Sequence, residues 1–205
     1  MFSGIIRATG RITEIKELNT GKRITILPDK KLKARKGDSV CCDGICLTVE
    51  TRKGNSLQFF ISEQTLKVTT ARKWQKGTII NMEESLRMSD LMGGHIVMGH
   101  VDTIARIDSI YEKGEGYLFI FELAKENPFI VPRGSVAING ISLTVATVQG
   151  RNFSIAIIPY TFKHTNLRYA KPGQFVNVEY DIIARYVNSI VGRYLEGNKP
   201  PFTGL

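Results

Sequence analysis

The sequence holds no run of about 18 apolar residues, so no segment reads as a membrane-spanning helix. Its N-terminus lacks the basic, apolar and small-residue order of a secretory signal, and the expected location is the cytoplasm, with no membrane partner. Cysteine is scarce. Cys41, Cys42 and Cys46 form an odd set within six positions, the wrong pattern for a disulfide framework, and read as reduced thiols. With no Cys-x-x-Cys pair and three histidines, no metal site is expected. A serine, base and acid in hydrolase order, a Gly-rich phosphate loop and a dinucleotide fingerprint are also missing, which leaves hydrolase, nucleoside-triphosphate and Rossmann chemistries without support.

What is present suits a globular protein: 205 residues, 42% hydrophobic and 23% charged, enough for one large or two small domains with a sizeable core. Lysine and arginine outnumber acids by 28 to 19, giving +9, and Lys30, Lys31, Lys33, Arg35 and Lys36 form a local basic run. Aromatic residues do not interleave with it, so a solvated loop is preferred to a nucleic-acid surface. A multiply anionic ligand stays open.

An internal repeat organises the chain. Residues 37–83 align with 133–179 at an offset of 96: Ser39-Val40 on Ser135-Val136, and Asp43-Gly44-Ile45-Cys46-Leu47-Thr48-Val49 on Asn139-Gly140-Ile141-Ser142-Leu143-Thr144-Val145. Thr65, Gly77, Asn81 and Glu83 fall on Thr161, Gly173, Asn177 and Glu179. Nearer the start the offset is 95, with Gly4, Ile12 and Ile15 on Gly99, Ile107 and Ile110. Each copy shows short alternating segments between turn residues, Asp43-Gly44 and Asn139-Gly140 being the strongest hairpin signals. The pattern predicts an all-β chain of two tandem closed antiparallel barrels, closure removing the exposed edges. The expected units are 1–95, 96–181, a helix over 182–195 and a loose tail over 196–205. The helix carries an apolar stripe that needs cover, either from its own barrel or from another copy of the chain.

Alternation points Ile45, Leu47 and Val49 one way and Cys46 and Thr48 the other; Ile141, Leu143 and Val145 likewise oppose Ser142 and Thr144. The duplicated domain thus presents small polar groups twice at the same place, which suits two equivalent ligand pockets as well as simple gap filling. His95 and His100, five apart on an extended segment, face opposite ways and do not suggest a shared metal. His100 is the better site candidate, because it follows Gly99, which lets a ligand approach the backbone, and imidazole exchanges protons near neutral pH.

Met1-Phe2-Ser3-Gly4-Ile5-Ile6, the two copies just quoted, and Gly93-Gly94-His95-Ile96-Val97-Met98-Gly99-His100-Val101-Asp102 together resemble the riboflavin synthase family over about residues 1–191. The resemblance implies Greek-key barrels in a homotrimer, with two molecules of 6,7-dimethyl-8-ribityllumazine at each site between an N-terminal barrel and a neighbour's C-terminal barrel. One lumazine donates a four-carbon unit to the other, without a cofactor. Lumazine synthase, which makes the substrate, is a candidate partner. By the same resemblance, His100 and Thr144 assist proton removal from the donor's methyl group, Ser39 and Cys46 help place a nucleophile at C7 of the acceptor, and Phe2 packs at the site mouth. The N-terminal pocket is expected to use Gly4, Ile5, Ile6, Cys46, Leu47, Thr48, Phe60, Ile61, Ser62, Glu63, Gln64 and Thr65. The C-terminal pocket is expected to use Gly99, His100, Val101, Arg133, Ser142, Leu143, Thr144, Ala156, Ile157, Ile158, Pro159, Tyr160 and Thr161. Arg133, Asn139, Gln64, Tyr160 and Met98 depart from the usual family residues. A carrier that binds lumazine or flavin without turnover is the main rival reading.

Overall fold

The structure, a computed structural model, describes residues 1–195; the tail expected over 196–205 lies outside them. The first barrel is built from β1 (Ala8–Leu18), β2 (Gly21–Pro28), β3 (Ser39–Cys42), β4 (Ile45–Lys53), β5 (Ser56–Ser62) and β6 (Ile79–Glu84), with helix α1 (Glu63–Val68) after β5. The second repeats it with β7 (Thr103–Lys113), β8 (Gly116–Leu123), β9 (Ser135–Ile138), β10 (Ile141–Gln149), β11 (Asn152–Ile157), α2 (Pro159–His164) and β12 (Phe175–Tyr180). Helix α3 (Ile182–Leu195) follows. Each sheet closes, in the order β1-β2-β5-β4-β3-β6 and its counterpart β7-β8-β11-β10-β9-β12, and all pairings are antiparallel. Closure leaves no unpaired edge in either sheet.

Local chemistry explains both copies. Asp43 and Gly44 have φ of 47° and 81°, Asn139 and Gly140 of 46° and 76°, so each pair makes a two-residue turn of the mirror-image kind that matches strand twist. The register of β1 shifts between Ile12 and Glu14 and that of β4 between Val49 and Thr51; β7 and β10 shift at the equivalent places. Such bulges bend long strands so that a six-stranded sheet can close. Ile45, Leu47 and Val49 are buried inside the first barrel, as the alternation predicts, while Cys46 and Thr48 lie on its outer face. In the second barrel Phe119, Phe121 and Phe153 fill the same space, Phe121 and Phe153 stacking at 5.2 Å.

The barrels meet through their equivalent turns. The Asn81 side-chain amide donates to the Asn139 carbonyl at 3.0 Å, and that of Asn177 donates to the Asp43 carbonyl at 2.7 Å, a reciprocal exchange about a pseudo-twofold axis. A Cβ on Gly44 would sit 3.0 Å from the Gly140 nitrogen, so this contact requires glycine. Phe2 and Val97 pair as an isolated antiparallel bridge, with reciprocal backbone bonds of 2.7 and 3.1 Å. They bury themselves with Cys41 and Ala137 between the barrels.

Phe2, expected at a site mouth, lies inside this seam within the single chain. Its ring is 0% exposed and serves as a wedge between barrels, where burial of an aromatic side chain contributes about 1.5–3 kcal/mol.

Candidate active site

The chain ahead of each barrel forms an arm, residues 1–6 before the first and 97–101 before the second. Each arm lies on the other repeat's hairpin. The Ser142 amide donates to the Gly4 carbonyl at 2.8 Å, and the Cys46 amide donates to the Gly99 carbonyl at 2.8 Å. Contact is close enough that a Cβ on Gly4 would fall 2.5 Å from the Ser142 Cβ, and one on Gly99 2.6 Å from the Cys46 Cβ. Both glycines also hold positive φ, 75° and 78°, which L side chains rarely adopt.

This crossing corrects the grouping expected from the sequence. Gly99, His100 and Val101 belong with Cys46, Gln64 and Thr65, and together they line a cleft of about 230 Å³ against the first barrel, floored by Ile45, Val68 and Thr69. Val101 packs on the first core and Ile6 on the second. Gly4, Ile5 and Ile6 accordingly belong beside Ser142 on the second barrel. His100 is exposed at the rim of the first cleft, and Cys46 is half-buried in its wall.

Other expected residues are dispersed. Ser39 pairs with Thr48 on β3 and β4 but lines a separate polar cavity with Arg7, Lys33, Glu83 and Arg87, so it does not share the Cys46 cleft. Thr144 is exposed, paired with Ser135, and is not beside His100 in the same chain. Leu47, Ile61 and Ile157 are buried in the barrel cores, Leu143 packs against the second core, and the first three can meet a ligand only through their backbones. Phe60, Ser62 and Glu63 lie at the end of β5 and the start of α1, where the Ser62 hydroxyl caps the helix by accepting from the Thr65 amide. Ala156, Ile158, Pro159 and Tyr160 are exposed and Thr161 half-buried at the matching place, with Tyr160 stacked on His164 at 4.1 Å. Arg133 is exposed with a φ of 66°, at the position that Gly37 occupies in the first copy. A strained backbone kept by a residue other than glycine directs attention to its side chain.

Sequence reasoning passed over His95. Its Nδ1 lies 2.7 Å from the Ser142 hydroxyl, its Nε2 is buried without a partner, and burial holds its pKa below the ordinary histidine value, so the ring is neutral at neutral pH. Gly94 makes room for this pair: a Cβ there would sit 2.7 Å from the Ser142 hydroxyl oxygen. The preceding glycine pair was the available signal. The first cleft has Cys46 in the place of Ser142, and burial raises the pKa of its neighbours Cys41 and Cys42, which stay protonated thiols. Among the described residues, no three His, Cys, Asp or Glu side chains gather as a metal site, and no helix is long and apolar enough to cross a membrane.

The lumazine binding domain family matches this chain twice, over residues 3–85 and 98–181. A riboflavin synthase of Chlamydia trachomatis is 39% identical over 194 residues, covering 95% of this chain and 96% of its own. The chain belongs to the riboflavin synthase family. The Escherichia coli member is 34% identical, covering 95% of this chain and 93% of its own. Among solved structures, LumP complexed with riboflavin superposes with a TM-score of 0.80 at 26% identity, covering 88% of this chain and 99% of that one. LumP complexed with 6,7-dimethyl-8-(1'-D-ribityl) lumazine gives 0.78 at 25%, with coverage of 87% and 98%. In family terms, the two matches fall on the two barrels and take in an arm each, Gly4 in the first and Gly99 in the second.

Proposed function

We propose that the protein converts two molecules of 6,7-dimethyl-8-ribityllumazine into riboflavin and 5-amino-6-(D-ribitylamino)uracil, a four-carbon transfer in the cytoplasm that needs no cofactor. The observation that carries this reading is the pair of equivalent crossings, each setting a glycine arm against a small polar residue of the other repeat, in a chain of this family. A cleft of about 230 Å³ is smaller than the roughly 300–1,000 Å³ of a complete small-molecule site, as suits a half-site finished by another surface. That surface is the C-terminal half-site of a neighbouring subunit in a homotrimer, which brings Ser142, Thr144 and Arg133 against the first cleft. His100 and Thr144, apart in one chain, then meet across subunits.

The lumazine 7-methyl group is acidic already, so the protein's main task is to hold two rings face to face. Orientation of that kind is worth about 7 kcal/mol or more of a barrier. His100, at the rim, takes the methyl proton with Thr144 beside it. Cys46 supports addition at C7 of the second ring; Ser39, in its own cavity, acts on a ligand only from a neighbour's side. Units 1–95 and 96–181 each supply the barrel of one half-site and the arm of the other, with lumazine synthase as the source of substrate.

A carrier that binds lumazine or flavin without turnover is the second reading, favoured by the likeness to LumP with riboflavin bound. Incubation with the lumazine alone, followed by riboflavin fluorescence, separates the two. Riboflavin should form without added metal or nucleotide, and His100→Gln should slow it by about 10²-fold, the usual scale of acid–base assistance. Tight binding with no riboflavin would establish the carrier instead.

A further inference from the structure

Glu83 and Glu179 are equivalent in the two repeats and are 1% and 3% exposed. The mechanism above gives neither a role. Each carboxylate is spent on an arm. Glu83 accepts the Ser3 amide at 2.8 Å, the Ser3 hydroxyl at 2.7 Å and the Gly4 amide at 2.9 Å. Glu179 accepts the amides of Met98, Gly99 and His100 at 2.5, 2.8 and 2.9 Å. Three donors converging on one buried carboxylate fix the path of the backbone, because both oxygens are engaged and no rotation keeps all three bonds.

Each arm so fixed then crosses to the opposite barrel, where its glycine carbonyl takes the amide of Cys46 or Ser142. A carboxylate anchored in β12 thereby sets where His100 and Gly99 stand over Cys46. One anchored in β6 sets where Gly4 stands over Ser142. We propose that Glu179 is a positioning residue for the Cys46–His100 cleft and Glu83 for the Ser142 half-site, each shaping the ligand surface of the barrel to which it does not belong. The assignment of these clefts to lumazine rests on the function proposed above; the positioning itself rests on the arms.

Cys46 offers a local probe, being half-buried beneath the Glu179-held arm while Cys41 and Cys42 are buried. The full-length protein is treated with iodoacetamide and alkylation is followed at each cysteine by mass spectrometry, with lumazine binding and turnover measured alongside. In Glu179→Gln, whose amide nitrogen opposes the arm's donors, Cys46 should react about fivefold faster as the arm opens locally, with Cys41 and Cys42 still protected. Riboflavin formation should fall by roughly one to two orders of magnitude as His100 is displaced. Glu83→Gln should leave the Cys46 rate within about twofold of the parent while weakening lumazine binding at the other half-site. Glu179→Asp, which keeps the charge but is too short for all three bonds, decides the matter if the glutamine variant does not fold. The proposal is overturned if Cys46 is no faster in either folded Glu179 variant, if Cys41 and Cys42 open with it in both, or if Glu83→Gln exposes Cys46 equally. A parent protein that neither binds nor converts lumazine would defeat the functional reading alone, since the alkylation pattern is read without lumazine.

Discussion

Gly99, like its counterpart Gly4, combines two demands of which Gly37 meets only one. Its φ of 78° excludes most side chains, and its Cα faces Cys46 so closely that even a methyl group has no room. Gly37 has a similar φ, 91°, but opens onto empty space. Alanine at Gly37 should therefore cost only backbone strain, of order 1–3 kcal/mol. Alanine at Gly99 should lower the melting temperature further and also weaken lumazine binding, because the arm must lift off Cys46. Equal losses of stability and binding in the two variants would show that the close approach is unimportant. Phe2 makes a parallel case: Phe2→Ala should destabilise by about 3–5 kcal/mol as a cavity opens between the barrels. Loss of activity without loss of stability would return that ring to the ligand.

At the scale of single elements, the Asp43-Gly44 hairpin differs from its twin by one ionisable group. Asp43 accepts the Asn81 amide at 2.7 Å as Asn139 accepts that of Asn177 at 2.8 Å, but burial pushes the Asp43 carboxyl up to about 8. A carboxyl whose pKa is raised by folding favours the folded state fully below its ordinary value, near 3.8, and loses that contribution as pH rises through about 8. Glu83 and Glu179, also raised by burial, act in the same direction. Thermal stability should thus decline from pH 5 to pH 9, and Asp43→Asn, which copies the second repeat, should flatten that decline and stabilise most at the alkaline end. Melting curves at the two pH values test it; an unchanged slope would mean the carboxyl is solvated. The hairpins, the barrels and the core faces were legible in the sequence because they depend on short-range alternation and turn chemistry. The arms were not. A bond from Ser142 to Gly4 joins residues far apart in the chain, and a repeat shows that two places are equivalent without showing which barrel each one serves. His95 was missed for the same reason, since its partner Ser142 lies on the other side of that crossing.

For the whole molecule, helix α3 stands out with Ile183, Tyr186, Val187 and Ile190 all exposed, tied to its barrel by Arg185, which meets Asp102 at 3.1 Å. Such a face costs solvation unless another copy covers it. Ile190→Asp should convert the proposed trimer to monomers in sedimentation and abolish riboflavin formation while each barrel keeps its fold. A monomeric parent protein, or a trimeric variant, would reject the helix as the contact. The crossed arms carry a further consequence, for ancestry. Two barrels that each lend a leading segment to the other have the geometry of a single-barrel homodimer with exchanged N-terminal arms, fused head to tail when its gene doubled. In that geometry one carboxylate and one glycine per copy are enough to build both half-sites, and a fused chain lets the two differ, as Cys46 and Ser142 do here.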